Sequence, residues 1–428
     1  MKKLVLPVIL CLCCAYAPAQ EYYSRFSPSA DITLEQAIRL GLENNTKLLS
    51  SEQSILIANQ RVREANFMRL PQFDLLATAT HYDLEYPVVL PDAMGLRIIG
   101  PQSVDKSGDS FYGATVSAVL YLYSGGRISG TIKLAKAQLK EEQSKYETEK
   151  NNVILSVKLA FYRMLYAQKR LELTEAGYNR AKEYSKKQSN KGWQGVSVAS
   201  MVEKFRIEYN NAKHEYSQAH LQMIKGLNKE LNSEIKIKGD FRPVKYTNEL
   251  PKMTLWAMQF RPELRTALYE VEMYDISTNI TLGQKYPDII VGGTYEQVGA
   301  DSLDETNKQV SLAVRLPLSY GFLTQPKQKK AQQKQSALRR ADLEDTIRLQ
   351  VSGNYEAFVF WQDEVAHREE ALDALTKEIK RLEGRGEYSL DSLNALDAYQ
   401  KTSYSYLEAV RENLMSKSRL EWAIGQDL

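Results

Sequence analysis

Cysteine is nearly absent from the sequence, which has three copies, all inside a leader over residues 1–19. The leader combines two early lysines, a short apolar stretch and the motif Ala17-Pro18-Ala19, as expected for a signal peptide that is cleaved before Gln20. The exported chain then has no thiol for a disulfide, for metal binding or for nucleophilic catalysis. No small residue precedes Cys11, Cys13 or Cys14, and this argues against a lipid anchor.

Long apolar runs and an excess of one charge are also missing. After residue 19 even Val153–Val157 is followed at once by Lys158, whereas a membrane helix needs ~18 uncharged apolar residues. A chain of this kind can cross a membrane only as β-strands. Loss of Lys2 and Lys3 leaves 54 of the 56 basic residues against 53 acidic ones, so a nucleic-acid partner is not expected.

Motifs for catalysis or metal binding are missing too. None of the four histidines stands at the spacing of a zinc enzyme from another ligand, and Gly125-Gly126-Arg127 lacks the lysine of a phosphate-binding loop. We therefore expect no enzyme activity, no catalytic residue, no metal site and no cofactor. The histidines are His81, His214, His220 and His367.

Proline is absent from about residue 130 to 190, where Gly177 is the one internal glycine, and this predicts a helix of ~58 residues and ~87 Å. Apolar and small residues recur in it at alternating steps of four and three, which is typical of a coiled-coil seam. The seam comprises Val153, Val157, Ala160, Met164, Ala167, Leu171, Thr174, Tyr178 and Ala181, and a second seam comprises Val351, Tyr355, Phe358, Val365, Leu372, Leu375, Ile379 and Leu382.

The second half of the chain repeats the order of the first, which indicates an internal duplication. Residues 45–73 align without a gap with residues 261–289, and the glycine-containing segments 192–197 and 386–391 also correspond. Helix starts are predicted at the capping box Thr33-x-x-Gln36 and at Pro262. Ser197 and Asp391 are candidate caps of the helices that follow the two glycine segments.

Between residues 71 and 126, and again between 287 and 321, the apolar period changes from helical to two. Apolar residues alternate with small or polar ones, a pattern typical of strands between lipid and water. Each region is predicted to form a hairpin, with connecting loops near 86–109 and 299–307. Because two hairpins leave two open edges, several chains must meet to close a barrel. A soluble periplasmic coiled-coil scaffold with an ordinary small sheet is the alternative.

With these features together, the chain resembles the TolC-like outer-membrane efflux proteins. The resemblance covers nearly all of the mature sequence and rests on the order of its motifs: residues 33–38, 42–45, 70–74, 122–126, 135–139, 160–162 and both hairpin tips. It implies a mainly α fold with a β-barrel part, in which a long coiled-coil α-helical tunnel crosses the periplasm. Four transmembrane strands per chain would close as a trimeric twelve-stranded barrel in the outer membrane of a Gram-negative bacterium.

The resemblance also implies partners. The homotrimer would accept substrates from a periplasmic adaptor, the membrane fusion protein, and from an inner-membrane pump of the resistance-nodulation-division or ABC type, with outer-membrane lipid around the barrel. The adaptor contact is expected at the hairpin tips, which here carry Gly192, Gly195, Ser197, Gly386 and Ser389. Both tips are one residue tighter than is usual for the family.

The resemblance also implies a periplasmic gate just past the second tip, where the matching residues are Asp391, Asn394 and Asp397. Their spacing of three places them on one helical face. Around a three-fold axis, such carboxylates would form rings that attract cations and repel anions.

These expectations divide the chain into seven parts. They are the signal peptide (1–19), an N-terminal extension with the first helices of repeat one (20–70), the first membrane hairpin (71–126), the long helix and helix hairpin of repeat one (127–235), a linker with the first helices of repeat two (236–286), the second membrane hairpin (287–321), and the long helix and helix hairpin of repeat two (322–428).

Overall fold

The computed structural model describes residues 31–81, 89–92, 95–98, 110–187, 193–230, 233, 235–247, 249–299, 303, 305–316, 321–384 and 390–428. The first half contains α1 (Leu34–Asn44), α2 (Thr46–Phe67), β1 (Gln72–His81), β2 (Val89–Asp92), β3 (Gly95–Ile98), β4 (Ser110–Ser124), α3 (Arg127–Lys187) and α4 (Trp193–Gly226). The second contains α5 (Leu250–Phe260), α6 (Pro262–Gly283), β5 (Asp288–Gly299), β6 (Glu305–Arg315), α7 (Gly321–Gly384) and α8 (Leu390–Ile424). The prediction of a mainly α fold with strands in two hairpins is confirmed.

The short helices begin where their local sequence predicts. Thr33 and Gln36 form a reciprocal capping box at the start of α1. The Asn45 side chain accepts hydrogen bonds from the backbone amides of Lys47 and Leu48 at the start of α2. Pro262 occupies the first turn of α6, where its missing amide hydrogen costs nothing.

The duplication appears in the elements themselves. Helices α1 and α5 both have 11 residues, and α2 and α6 both have 22. Each second copy begins 216 residues after the first, as the starts at 46 and 262 show. The long helices α3 and α7 have 61 and 64 residues, and the returning helices α4 and α8 have 34 and 35.

The coiled-coil seam of α3 is buried as predicted, notably at Val157, Met164 and Ala181. At ~1.5 Å per residue, α3 is about 90 Å long. One core cluster forms where α1 and α4 meet α3, around Phe161 and Met223. Its counterpart in the second repeat surrounds Phe358, where α5 and α8 meet α7.

Four strands form one antiparallel sheet in the order β1, β4, β5, β6. Each predicted hairpin is present, and β4 pairs with β5 to join them. The prediction of a plain connecting loop near 86–109 is wrong in part, because β2 and β3 pair as a separate hairpin within it. These strands have four residues each, too few to show a period of two.

Each strand of the sheet is connected in sequence to one helix, and these four helices form a layer of their own. Contacts between neighbours place them in the order α2, α3, α6, α7, which matches the order of the strands β1, β4, β5, β6. The strand-to-helix joint is held by an ion pair between Arg127 and Asp288. No helix in the described part of the chain combines the length and the apolar character that a membrane span requires.

Candidate functional site

The tips of the helix hairpins form the first candidate site. Here α8 packs against α3 and α4 of the other repeat as well as against α7. The shared core contains Ala181 from α3, Val198 and Phe205 from α4, and Leu393 and Leu396 from α8. Residues near the start of α8 are therefore positioned by apolar contacts that cross between the repeats.

The predicted tip residues are only partly within the described ranges. Gly192, Gly386 and Ser389 lie outside them. Gly195 is half-buried and Ser197 is exposed, both in the first turns of α4. The prediction that Ser197 caps α4 is wrong, because α4 begins at Trp193 and the Ser197 hydroxyl donates to the Trp193 carbonyl at 3.1 Å.

The three predicted gate residues have different environments. Asp391 and Asn394 are exposed on α8. The Asp391 side chain is not an N-cap as predicted, since Asp391 is the second residue of the helix, although its charge suits the first turn. Asp397 is 8% exposed and takes part in ion pairs. The structure brings Asp391 and Asn394 to the surface and directs Asp397 toward α4.

Asp397 links the two repeats electrostatically. Both of its carboxylate oxygens accept hydrogen bonds from Lys204 Nζ of α4 at 2.7 Å, and Lys401 Nζ lies 2.9 Å from Oδ2. Burial acts to raise the pKa of Asp397, but the hydrogen bonds from Lys204 and Lys401 outweigh it and hold the pKa below its usual value. Nothing in the sequence marks Lys204, because its partner lies 193 residues away.

A second set of polar contacts lies further along α8. The Gln400 side chain donates to the Tyr404 hydroxyl, which lies 3.3 Å from Glu208 Oε2 of α4. Arg170 of α3 stacks over the Tyr404 ring at 5.3 Å. Burial raises the pKa of Tyr404, so its hydroxyl stays protonated and can donate. Sequence reasoning missed this contact set because its members come from three helices.

Helices α3 and α8 approach closely at Gly177. A Cβ atom at this position would collide with the end of the flexible Gln400 side chain, which would then have to move. The sequence marks Gly177 as the one glycine in a long helix, but it does not reveal the partner.

The sheet forms the second candidate site. In the observed register, Leu75, Val116, Tyr295 and Lys308 lie opposite one another and therefore share a face. The same face carries mostly apolar residues, namely Phe73, Ala77, Ala79, Tyr112, Ala114, Ala118, Leu120, Val291, Val310, Leu312 and Val314. The other face is mostly polar, with Asp74, Thr78, Thr115, Ser117, Thr294, Glu296, Asn307, Gln309 and Ser311.

The apolar face is open in the single chain. Leu75 is 78% exposed and Val310 is 86% exposed. Soluble monomers rarely expose a contiguous apolar surface of this kind, and a lipid environment would cover it. The strands β1 and β6 are also the unpaired edges of the sheet.

In the part of the chain that the structure describes, no group of three or more histidine, aspartate, glutamate or cysteine residues is arranged to hold a metal ion. The charged clusters described above consist of cations and carboxylates in contact with each other. Their chemistry is that of positioning and of electrostatic attraction.

Comparison with solved structures identifies the fold. The chain is similar to CusC, with a TM-score of 0.75 and 14% identity over 95% of this chain and 96% of that chain. It is similar to VceC of Vibrio cholerae, with a TM-score of 0.73 and 13% identity over 92% of this chain and 96% of that chain. It is also similar to the CmeC outer membrane channel of Campylobacter jejuni, with a TM-score of 0.71 and 14% identity over 94% of this chain and 90% of that chain. The fold is that of outer-membrane channels.

A family model described as outer membrane efflux protein matches residues 37–229. No curated protein sequence matches the chain significantly. Residues 37–229 thus match the outer membrane efflux protein family, and the chain as a whole has the fold of TolC-like outer-membrane channels. The resemblance seen in the sequence is confirmed.

Proposed function

We propose that three copies of this chain form a channel through the outer membrane, which passively conducts substrates out of a tripartite efflux or secretion system. The observation that carries the proposal is the four-stranded sheet, which has one apolar face, one polar face and two open edges. Three such sheets edge to edge would give a twelve-stranded barrel with lipid outside and water inside.

The duplication supports this closure. Helix α3 contacts α6 within the chain, for example through the Ser144 hydroxyl, which donates to the Pro262 carbonyl at 2.7 Å. The corresponding residues on the open edges are Leu338 of α7 and Thr46 of α2. Leu338 is 62% exposed. A neighbouring copy would bury it by placing its own α2 against α7, and so reuse the contact that each chain already contains.

The exposed hairpin tip supports docking of a periplasmic adaptor, which would connect the channel to an inner-membrane pump. Trp193 is 88% exposed and Val196 is 62% exposed beside Gly195 and Ser197. Exposed aromatic residues are enriched at protein interfaces. With Gly192 of the same tip, and Gly386 and Ser389 of the other tip, as the further expected contacts, the two tips are the proposed adaptor site. The pump would be of the resistance-nodulation-division or ABC type.

We assign the gate to the start of α8. Exposed Asp391 and Asn394 would line the narrow end of the tunnel as three-fold rings. Asp397 has the different role of fastening α8 to α4 through Lys204, and so of holding the tunnel closed. An opening movement would separate these helices and break the ion pair.

The soluble scaffold alternative is disfavoured by the match to the outer membrane efflux protein family and by the exposed apolar face of the sheet. A direct test expresses the full chain, separates outer membranes from the soluble periplasm and runs unboiled samples on a denaturing gel. A detergent-extracted trimer that forms channels in a planar bilayer is expected. A monomer in the soluble fraction would contradict the proposal.

A further inference from the structure

Two identical lysine triplets lie at the same place in the two repeats. Lys133, Lys136 and Lys140 are near the start of α3, and Lys327, Lys330 and Lys334 are near the start of α7. Each triplet has the spacing i, i+3, i+7, which places its members on one helical face. The second triplet follows the first by 194 residues, the shift that also separates the helix starts at 127 and 321.

Both triplets are exposed and lie in segments without acidic residues. Residues 127–140 and 321–341 contain no aspartate or glutamate, although the chain as a whole is nearly neutral. All six lysines are exposed, and none forms an ion pair within the described ranges. Two carboxylates of α6, Glu272 and Asp275, line the same groove of about 670 Å³ as the first triplet. The combined charge of the six lysines and these two carboxylates is positive.

The triplets lie just below the strands. With a rise of ~1.5 Å per residue, Lys133 lies about 9 Å and Lys140 about 20 Å below the start of α3. Exposed aromatic side chains occupy the level between them and the apolar sheet, namely Phe67, Tyr123 and Tyr286. The order apolar, aromatic, basic is the one found where a protein leaves a membrane.

The lysines face away from the tunnel. A groove of about 840 Å³ is lined by residues of α2, α3, α6 and α7 together, so the four-helix layer curves around it and the groove marks the concave side. Helix α3 lines it with Glu142, Lys145 and Glu149, and α7 with Arg339, Arg340 and Leu343. At 3.6 residues per turn, the lysine triplets lie on roughly the opposite side of each helix, which is the convex outer surface.

We infer that the six lysines form a belt that binds anionic glycerophospholipid headgroups in the periplasmic leaflet of the outer membrane, an inference that rests on the proposed membrane-spanning trimer. Charge complementarity selects the ligand, since a phosphodiester headgroup meets clustered ammonium groups at the correct height. In the trimer the belt would contain six triplets. It would fix the depth of the barrel in the bilayer and collect anionic lipid around it.

Native mass spectrometry of the full-length trimer, offered equal amounts of phosphatidylglycerol and phosphatidylcholine, tests the inference. We expect the wild-type protein to prefer phosphatidylglycerol by on the order of tenfold, since several lysines near the surface act together. Replacement of all six lysines by glutamine should abolish the preference, and replacement by arginine should retain it. A six-glutamine control at the exposed lysines Lys182, Lys186, Lys213, Lys236, Lys377 and Lys380 changes the total charge equally and should also retain it.

A six-glutamine belt variant that still prefers phosphatidylglycerol would overturn the inference. So would displacement of the lipid by soluble glycerol phosphate, since the binding would then belong to free phosphate. If the six-fold variant fails to assemble, the two triple variants take its place, and each should lose about half of the bound lipid. The same mass spectra show whether the protein is a trimer. A wild-type trimer without a lipid preference would reject the lysine belt alone, whereas a wild-type monomer would reject the proposed trimeric channel.

Discussion

At the scale of single residues, Asp397 is the best candidate for a side chain that controls opening. It is buried between a lysine of α4 and a lysine of its own helix, so its charge connects the two repeats. Replacement of Asp397 by a neutral residue removes both ion pairs, and the partly exposed Lys204 then has no carboxylate on α8 to hold it. A neutral substitution should therefore weaken the contact between α8 and α4.

Replacing Asp397 by asparagine should raise the closed-state conductance several-fold in a planar bilayer. The matched control is Asp391→Asn, which removes a charge from the exposed part of α8. The control should change cation selectivity and leave the closed state shut. Equal leakage from both variants would show that Asp397 is not the fastening residue.

The pH dependence of closure follows from the same ion pair. Because the pKa of Asp397 is lowered in the folded protein, its contribution to closure is present above the ordinary aspartate pKa of 3.8 and is lost as the pH falls through the lower folded value. The channel should therefore remain closed at mildly acidic pH and leak only below pH ~3.8. Conductance titrated from pH 7 downward checks this, and opening near pH 6 would point to another group.

Replacement by alanine should have opposite effects at two glycines that lie inside long helices. Gly177→Ala should displace the end of the Gln400 side chain from its contact with Tyr404 and raise leakage. Gly353→Ala should stabilise the protein by about 0.5–1 kcal/mol, because a Cβ atom there meets nothing within 4 Å and alanine favours a helix. Thermal dissociation of the trimer on gels, together with bilayer recordings, separates the two effects. Loss of stability in both variants would contradict the assignment.

At the scale of elements, the sequence predicts regular structure well where the pattern is long. The 3.5-residue seam of α3, the alternation of β4 and β6, and the box at Thr33 each identify their element, since local propensity and burial agree there. The pairing of β2 with β3 escapes prediction because four residues show no period. The contact of Lys204 with Asp397 escapes it because only the packing of α8 against α4 brings them together.

The tip of α4 should be the element on which transport depends. Trp193→Ser should lower export, because it removes a large exposed ring from the proposed adaptor contact. Leu255→Ser is the matched control, since Leu255 of α5 is apolar and 66% exposed but lies away from the tip. Both variants should form trimers and conduct in bilayers. Each variant is expressed in a deletion strain, and the sensitivity of that strain to a panel of toxic compounds is measured. Equal complementation by the two variants would place the docking contact elsewhere.

At the scale of the whole molecule, the duplication predicts the register between neighbouring protomers. Within the chain, Ala118 of β4 lies opposite Gly293 of β5. Their counterparts on the open edges are Val314 of β6 and Ala77 of β1, as the correspondence of Leu120 with Leu316 in sequence implies. The interface between protomers should therefore pair Val314 with Ala77 of the next copy.

Cysteine crosslinking checks this register. Because all cysteines lie in the predicted leader, the pair Ala77→Cys with Val314→Cys would carry the only thiols of the mature protein. Mild oxidation should produce covalent trimers. The pair Ala77→Cys with Ala313→Cys is the control, since Ala313 points to the other face of the sheet and should not crosslink. Efficient crosslinking of the control alone would shift the register by one residue.

Fusion of two repeats in one polypeptide leaves each copy free to diverge. The position that corresponds to Asp397 in the first repeat is Glu203, which is half exposed and pairs with Arg206 of its own helix. Corresponding positions thus form a link between helices in one copy and an ordinary surface pair in the other. A ring of six identical halves would carry this ion pair at all six junctions between neighbouring hairpins, whereas three fused pairs would carry it at three junctions and leave the other three without it.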